Sequence, residues 1–173
     1  MSDGTTKYYG LYRAAVVNNI DPMQEGRLLV QIPEVGGLPP SSWAKACVPV
    51  AGKQSGLFVL PAINSGVWIM FEEGDPDQPV WMGGWWASVA EVPAFALTGN
   101  PVSPSIVLQT GLQNMISISD MAGPTGGIML KTTTGAFISI NDVTGITISD
   151  GKGGMITMLG GVITLNQGAL LIK

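Results

Sequence analysis

The chain has 173 residues, of which 46% are hydrophobic and 12% are charged, and its formal net charge is −4. An acidic chain lacks the basic surface that nucleic-acid binding requires, and so few charges suggest that much of the surface is buried against partners. There is no histidine, and Cys47 is the single cysteine. These counts exclude an intrachain disulfide and a cysteine-clustered metal site, and they remove the commonest general base.

The first half of the chain predicts short β-strands separated by turns. Alternating or continuous apolar runs predict strands at residues 8–18, 26–32, 43–48, 66–71 and 79–83. Between the third and fourth of these strands, Gly52–Gly56 is predicted to be a mobile loop. No segment combines helical periodicity with helix caps. Five short strands in about 80 residues predict a closed Greek-key barrel, of which the five-stranded OB-fold is the commonest.

The composition changes near residue 100, which predicts two modules. Eleven of the twelve aromatic residues lie in residues 1–95. Residues 88–105 contain three prolines and a glycine, a composition typical of a linker. We therefore expect a barrel domain at residues 1–87, a linker at 88–105 and a second module at 106–173.

The second module is a series of apolar triplets, each with large apolar residues at its first and third positions. They are Ile106–Leu108, Ile116–Ile118, Ile128–Leu130, Ile138–Ile140, Ile146–Ile148, Ile156–Met158, Ile163–Leu165 and Leu170–Ile172. Residues that tolerate tight turns, such as Gly, Asn and Asp, stand between them. The alternation predicts strands with two side chains on one face and the middle one on the other. Strands this short cannot close a core within one chain.

Two architectures remain open for this module. A β-helix made by one chain would have about three coils and bare ends, near the minimum for a repeat array. Three chains around one axis would each add a short strand per layer and pair strand edges that otherwise invite aggregation. We favour this homotrimer, a short triple-stranded intertwined β-helix, although the spacing assigns no inward face. The candidate core residues are Ile116, Ile118, Ile128, Leu130, Ile138, Ile140, Ile146, Ile148, Ile156, Ile163 and Leu165.

No cluster of polar or aromatic residues forms a catalytic set. Glu72, Glu73, Asp75 and Asp77 suggest calcium binding or a glycosidase acid–base pair, but a single loop is better interpreted as a solvated turn. The tryptophans are interpreted as core or subunit contacts, because no basic groove accompanies them. Cys47 is interpreted as a buried strand residue, since no base is available to activate it. We expect no catalytic residue, cofactor or metal.

The region from residue 8 to residue 86 carries an ordered set of turn and strand motifs. They include Asp21-Pro22, Gly26-Arg27, Trp43-Ala44 and Gly74-Asp75-Pro76-Asp77. In this order they resemble the OB-fold domain of the central spike proteins of contractile injection systems. Phage baseplate assembly protein V, the tail-spike hub proteins of contractile phages and the VgrG spikes of type VI secretion belong to that family. The OB-fold motif positions are Gly56, Pro61, Gly66, Gly74, Asp75, Pro76, Pro79 and Gly83.

The resemblance implies an all-β homotrimer in which an OB-fold precedes a triple-stranded β-helix. It implies a structural spike assembled into the baseplate of a virion tail or phage-tail-like particle. The first residues lack the basic and apolar regions of a secretory signal, so we expect synthesis in the cytoplasm. The spike would pierce the target cell envelope and link the tube or hub to the tip. Expected partners are tube or hub proteins on the OB-fold side and a separate tip protein at the C-terminal end. No nucleic acid is expected, and the envelope is contacted only during injection.

Two features of the family are missing from the sequence. Some members insert a lysozyme domain after the OB-fold, where this chain has only residues 88–105, and some carry a metal-binding His motif near the tip. The resemblance therefore supports neither cell-wall hydrolysis nor a His-bound ion. The alternative function is an OB-fold module that binds carbohydrate or single-stranded nucleic acid and carries a trimeric stalk.

Overall fold

The computed structural model describes residues 6–36, 40–98 and 105–172, which form two compact units. Unit 1 is residues 1–89 and unit 2 is residues 90–173. The described residues form β-strands and short 3-10 helices, with no α-helix among them, which confirms the all-β prediction. In the predicted linker, residues 88–98 include the 3-10 helices Val89–Glu91 and Ala94–Leu97, and residues 99–104 lie outside the described part.

Unit 1 is a five-stranded barrel with a small additional hairpin. Its strands are β1 (Tyr12–Asn18), β2 (Leu29–Gln31), β3 (Lys45–Ala46), β4 (Ala51–Gly52), β5 (Ser55–Gly56), β6 (Gly66–Phe71) and β7 (Pro79–Trp85). The sheet order is β2-β1-β6-β7-β3, and the pair β3–β7 is parallel while the others are antiparallel. An antiparallel bridge between Leu28 and Ala44 joins the two ends of this order and closes the barrel. This is the predicted OB-fold arrangement.

The barrel core contains the inward residues of the alternating strands. Val16, Leu28, Val30, Val67 and Ile69 have no more than 1% of their surface exposed. These side chains point into the barrel because successive residues of a strand point to opposite faces, as the period-2 pattern of the sequence predicts.

The connection from β1 to β2 is held by one buried carboxylate. The Asp21 carboxylate accepts backbone hydrogen bonds from Met23, Glu25 and Arg27 at 2.9–3.2 Å, and Arg27 Nη2 donates to Asp21 Oδ1 at 2.7 Å. The guanidinium is the main cause that holds the pKa of Asp21 well below its ordinary value of 3.8, and the backbone donors add to it against the effect of burial. The same guanidinium lies 5.6 Å from the Trp43 ring centroid.

The backbone of Gly26, in the same connection, is hydrogen-bonded to the barrel wall. Trp81, which is 6% exposed, donates from Nε1 to the carbonyl of Gly26 at 3.0 Å. Gly26 has φ +76°, and a Cβ there would lie 3.2 Å from the Phe58 ring. The Asp-Pro and Gly-Arg motifs are therefore parts of one hydrogen-bonded loop.

Three details of unit 1 differ from the sequence predictions. The predicted third strand, residues 43–48, is shorter in the structure: Lys45–Ala46 pair with β7 and Ala44 bridges to Leu28. Cys47 adds one hydrogen bond, from its N–H to the Trp81 carbonyl. The predicted loop at Gly52–Gly56 is instead the antiparallel β4–β5 hairpin, whose turn residue Gln54 has φ 57°. Cys47 is exposed, so the prediction of a buried cysteine is wrong.

Unit 2 is an eight-stranded antiparallel meander. Its strands are β8 (Ser105–Gln109), β9 (Met115–Ser119), β10 (Gly127–Lys131), β11 (Phe137–Asn141), β12 (Gly145–Ser149), β13 (Met155–Leu159), β14 (Val162–Leu165) and β15 (Leu170–Ile172). Each strand pairs with the next along the chain. Every predicted apolar triplet lies within one strand.

Two glycines of unit 2 lie where the following strand passes close to the backbone. Gly127 has φ +78°, and a Cβ there would meet the carbonyl of Ile140. Gly145 has φ +68°, and a Cβ there would meet the carbonyl of Met158. Both positions therefore need a residue that has no Cβ and that adopts the left-handed conformation easily.

We expect Asp21→Asn to lower the unfolding temperature of unit 1, because the amide cannot accept the full set of charged and backbone hydrogen bonds. All five tryptophans lie in unit 1, so tryptophan fluorescence reports its unfolding separately. A carboxylate with a lowered folded-state pKa stabilises fully above its unfolded-state pKa and loses this stabilisation as the pH falls toward the folded value. The difference from wild type should therefore be present at pH 7 and narrow below about pH 4. Asp77→Asn, at an exposed carboxylate, is the control, and equal effects of the two variants would contradict the prediction.

We expect Gly145→Ala to destabilise unit 2 more than Gly160→Ala. Gly160 also has positive φ, +60°, but nothing lies within 4 Å of its Cβ position. Gly160→Ala, the control, should therefore lower the free energy of unfolding by about 1 kcal/mol through left-handed strain alone. Gly145→Ala must also displace a carbonyl and should lower it by about 2–4 kcal/mol. Chemical unfolding followed by far-ultraviolet circular dichroism measures the two free energies, and similar values would refute the close approach at Gly145.

Candidate functional site

One face of the unit 2 sheet carries two continuous ladders of large apolar side chains. In each strand pair the first position of one triplet lies opposite the third position of the next, as Ile106 does with Ile118. The first ladder is Ile106, Ile118, Ile128, Ile140, Ile146, Met158 and Ile163. The second ladder is Leu108, Ile116, Leu130, Ile138, Ile148, Ile156 and Leu165. We call this surface the aliphatic face.

The aliphatic face is open to solvent in the single chain. The exposed fraction is 64% at Ile106, 46% at Ile116 and Ile128, 47% at Ile140 and 36% at Ile163. A continuous exposed apolar surface of this kind marks an interaction site in a folded protein. The aliphatic face is therefore the strongest candidate functional surface of unit 2.

The opposite face of the same sheet is more polar and better shielded. Its central row places Ser117 between Val107 and Met129, and Ser139 between Met129 and Thr147. Ser117 is 1% exposed and Ser139 is 4% exposed. The short side chains lie among longer cross-strand neighbours, which are close enough to cover them. The two faces thus differ in the polarity and the exposure of their side chains.

All of the predicted core residues of unit 2 lie on the aliphatic face. The structure brings Ile116, Ile118, Ile128, Leu130, Ile138, Ile140, Ile146, Ile148, Ile156, Ile163 and Leu165 together there. The sequence-based set omits Ile106, Leu108 and Met158, which continue the same ladders. The signal that could have found them was their place in the first and third positions of the triplets.

The glycines of the OB-fold motif lie at sharp turns and close approaches. A Cβ on Gly56 would lie 2.7 Å from the Val50 carbonyl, and one on Gly66 would lie 2.5 Å from Cε2 of the Trp85 ring. Gly74 has φ +75° and packs against Tyr9. Gly83 has φ +153° and lies where the β6–β7 register shifts. Local backbone geometry therefore explains why each of these positions holds a glycine.

The prolines and Asp75 of the same motif also have structural roles. Pro79 is fully buried, and the Pro61 carbonyl accepts a hydrogen bond from Asn19 Nδ2 at 2.9 Å. Asp75 Oδ1 accepts from the backbone N–H of Asp77 at 2.9 Å, which fixes the turn that contains the half-buried Pro76. The motif therefore shapes the barrel.

The carboxylates of the 72–77 turn are engaged separately. Glu72 forms a 3.0 Å ion pair with Lys45, and Asp75 caps its own turn. Within the part of the chain that the structure describes, no group of three or more acidic, His or Cys side chains is arranged to hold a metal ion.

Four of the five tryptophans are occupied by contacts within unit 1. Trp81 is buried and hydrogen-bonded, and Trp43 lies under Arg27. The rings of Trp68 and Trp85 are 6.2 Å apart, with the Arg13 guanidinium about 5.5 Å from each centroid. Trp86, at the end of β7, is 63% exposed. Few aromatic faces are therefore free to stack on a base or a sugar.

Two family models match the chain, one in each unit. A type VI secretion system/phage-baseplate injector OB domain matches residues 12–86. A phage baseplate V C-terminal trimerisation domain matches residues 105–171, which include the aliphatic face. No curated protein matches the chain. The chain therefore belongs to the phage baseplate V family of injection-machine proteins, with an injector OB domain followed by a C-terminal trimerisation domain.

Proposed function

We propose that three copies of the chain form the central spike of a contractile tail or injection system. Its family gives the protein a structural role in a phage or injection-system baseplate, and its trimerisation domain implies a homotrimer. The observation that carries the proposal is the aliphatic face, which a single chain leaves exposed. Three such faces around one axis would cover one another, and the predicted core residues would then form the trimer core.

The apolar area is sufficient to drive this association. Complete burial of an Ile or Leu side chain contributes about 1.5–3 kcal/mol, so covering a half-exposed one contributes about 1 kcal/mol. The two ladders of three chains together supply many such contributions, well above the estimated cost of association. Because all layers are joined by main-chain hydrogen bonds, the assembled unit 2 would be a stiff shaft that breaks only when many layers separate together.

The spike would act mechanically. Contraction of a sheath, performed by other proteins, would push the shaft through the target envelope. Tube or hub proteins would bind on the OB side, and a separate tip protein would bind at the C-terminal end. We propose that residues 1–87 form the collar, residues 88–105 the linker and residues 106–173 the shaft. We also propose that the spike has no catalytic activity. The protein would be made in the cytoplasm before assembly. No helix within the described ranges is long and apolar enough to cross a membrane.

The alternative, a carbohydrate- or single-strand-binding OB module, has weaker physical support. The net charge is −4, and most of the tryptophan rings already have partners within unit 1. Tight, salt-dependent oligonucleotide binding by the purified chain would favour this alternative.

We expect the full chain to have a solution mass about three times 18.0 kDa by light scattering. Ile138→Thr/Ile140→Thr removes one residue from each ladder while keeping β-branched side chains. Six altered side chains in a trimer, at about 1 kcal/mol each, should weaken assembly by about four orders of magnitude. Val143→Thr, which changes an exposed residue outside the ladders, is the matched control and should leave the mass unchanged. A monomeric wild-type chain, or an unaffected ladder variant, would contradict the proposed trimer core.

We expect antibodies against the chain to label the central axis of the baseplate in purified particles examined by electron microscopy. The physical reason is that a shaft pushed through the envelope by sheath contraction must lie on the axis along which the tube moves. Labelling of tail fibres or the sheath, with the axis unlabelled, would reject the spike assignment while leaving the trimer intact.

A further inference from the structure

One segment of unit 1 is exposed along its whole length, although the Phe58 ring lies close to Gly26. Residues 50–59, which we call the arm, are exposed throughout and contain the β4–β5 hairpin. Val50, Leu57, Phe58 and Val59 are 50–68% exposed. In the described structure no backbone hydrogen bond is formed by Phe58 or Val59. The arm is therefore an apolar strand-like segment with free main-chain groups.

A cleft of about 410 Å³ separates the arm from the barrel. Ala46, Val48, Leu60 and Trp81 contribute apolar walls. Glu25 contributes a carboxylate that is 63% exposed and lies 3.6 Å from Arg27 Nε. The arm and the cleft together thus present an apolar, anionic receptor surface on the side of the barrel that carries β3 and the β1–β2 loop.

A second apolar surface lies on the outer side of β1, β6 and β7. Arg13, Trp68, Met70, Met82 and Trp85 form this surface, which we call the tryptophan patch. Met70 is 40% exposed and Met82 is 42% exposed. Tryptophan, methionine and arginine are the residues most enriched at protein interfaces. No ion pair of Arg13 is formed with any residue that the structure describes, so its charge is available to a partner.

A cyclic trimer needs two different surfaces on each copy. Around a three-fold axis each subunit contacts one neighbour through one patch and the other neighbour through a second patch, so the interface is heterologous. The two apolar surfaces of unit 1 share no residue. One carries the Arg13 guanidinium over its tryptophan rings, and the other carries the exposed Glu25 carboxylate, which lies 3.6 Å from Arg27 Nε. This pair has the complementarity that such an interface requires.

We propose that in the trimer the arm and cleft of each OB unit bind the tryptophan patch of the next copy, which closes the three barrels into a ring. This inference rests on the proposed trimer. The occupant of the arm and cleft is thus a second copy of this chain. Arg13 of one chain faces Glu25 of its neighbour, and the arm covers the two methionines of the patch. The contact is weak by itself, and the trimerisation domain supplies the high local concentration that populates it.

Cysteine cross-linking of the full chain tests the ring. In a Cys47→Ser background, Phe58→Cys/Met82→Cys places one thiol on the arm and one on the patch. A short bismaleimide should convert this variant to covalent dimers and trimers on denaturing gels. The matched control, Phe58→Cys/Gln78→Cys, moves the second thiol to an exposed position on the 72–78 turn and should give only background product. Each single-cysteine variant should also stay at background.

Two outcomes would overturn the proposal, and they have different meanings. A trimeric mass with cross-linking no greater than in the Gln78 control would reject the ring and leave the proposed spike unaffected. A monomeric mass would reject the proposed trimer, and the ring with it.

Discussion

The antiparallel register of unit 2 is the constraint on which the architecture of the protein depends. Because each triplet pairs first position to third with the next triplet, every large apolar side chain of the ladders falls on one face. A shift of one residue in any strand would move its pair to the polar face. A single sheet has nothing to place against this surface, and this is the surface that we propose the trimer covers.

The same logic explains the unusual composition. A charged content of 12% would leave an ordinary monomer with too little polar surface, yet here the exposed apolar residues gather on defined surfaces. They form the aliphatic face in unit 2, and the arm and tryptophan patch in unit 1. Low charge in this chain therefore accompanies exposed apolar surfaces, which are the ones we propose to be shared between copies.

Unit 1 obtains its rigidity from a different source. The Asp21 carboxylate holds the β1–β2 loop by accepting hydrogen bonds from backbone N–H groups of the loop and from the Arg27 guanidinium. Trp81 donates a hydrogen bond to Gly26 and so links the loop to the barrel wall. A motif that looks in the sequence like a turn signal is thus a small buried polar network. Such a network keeps the loop in one conformation because every buried acceptor has a partner.

Sequence patterns alone were enough to predict the strands of unit 2, the barrel class of unit 1 and the association of the chain with partners. Those features follow from local alternation, which is present in each triplet and in residues such as Leu28, Val30 and Ile32. The sequence could not assign the faces of unit 2, because the turns differ in length and the spacing of the triplets changes between odd and even. Only the paired structure shows that each turn restores the same alignment.

Other features were decided only by contacts between distant residues. The exposure of Cys47 and the closure of the barrel by Leu28 and Ala44 depend on neighbours far apart in the chain. The role of Gly145 likewise depends on the Met158 carbonyl. Local patterns specify which residues can form a strand, whereas register, exposure and close approach are properties of pairs, and a pair exists only once the chain has folded.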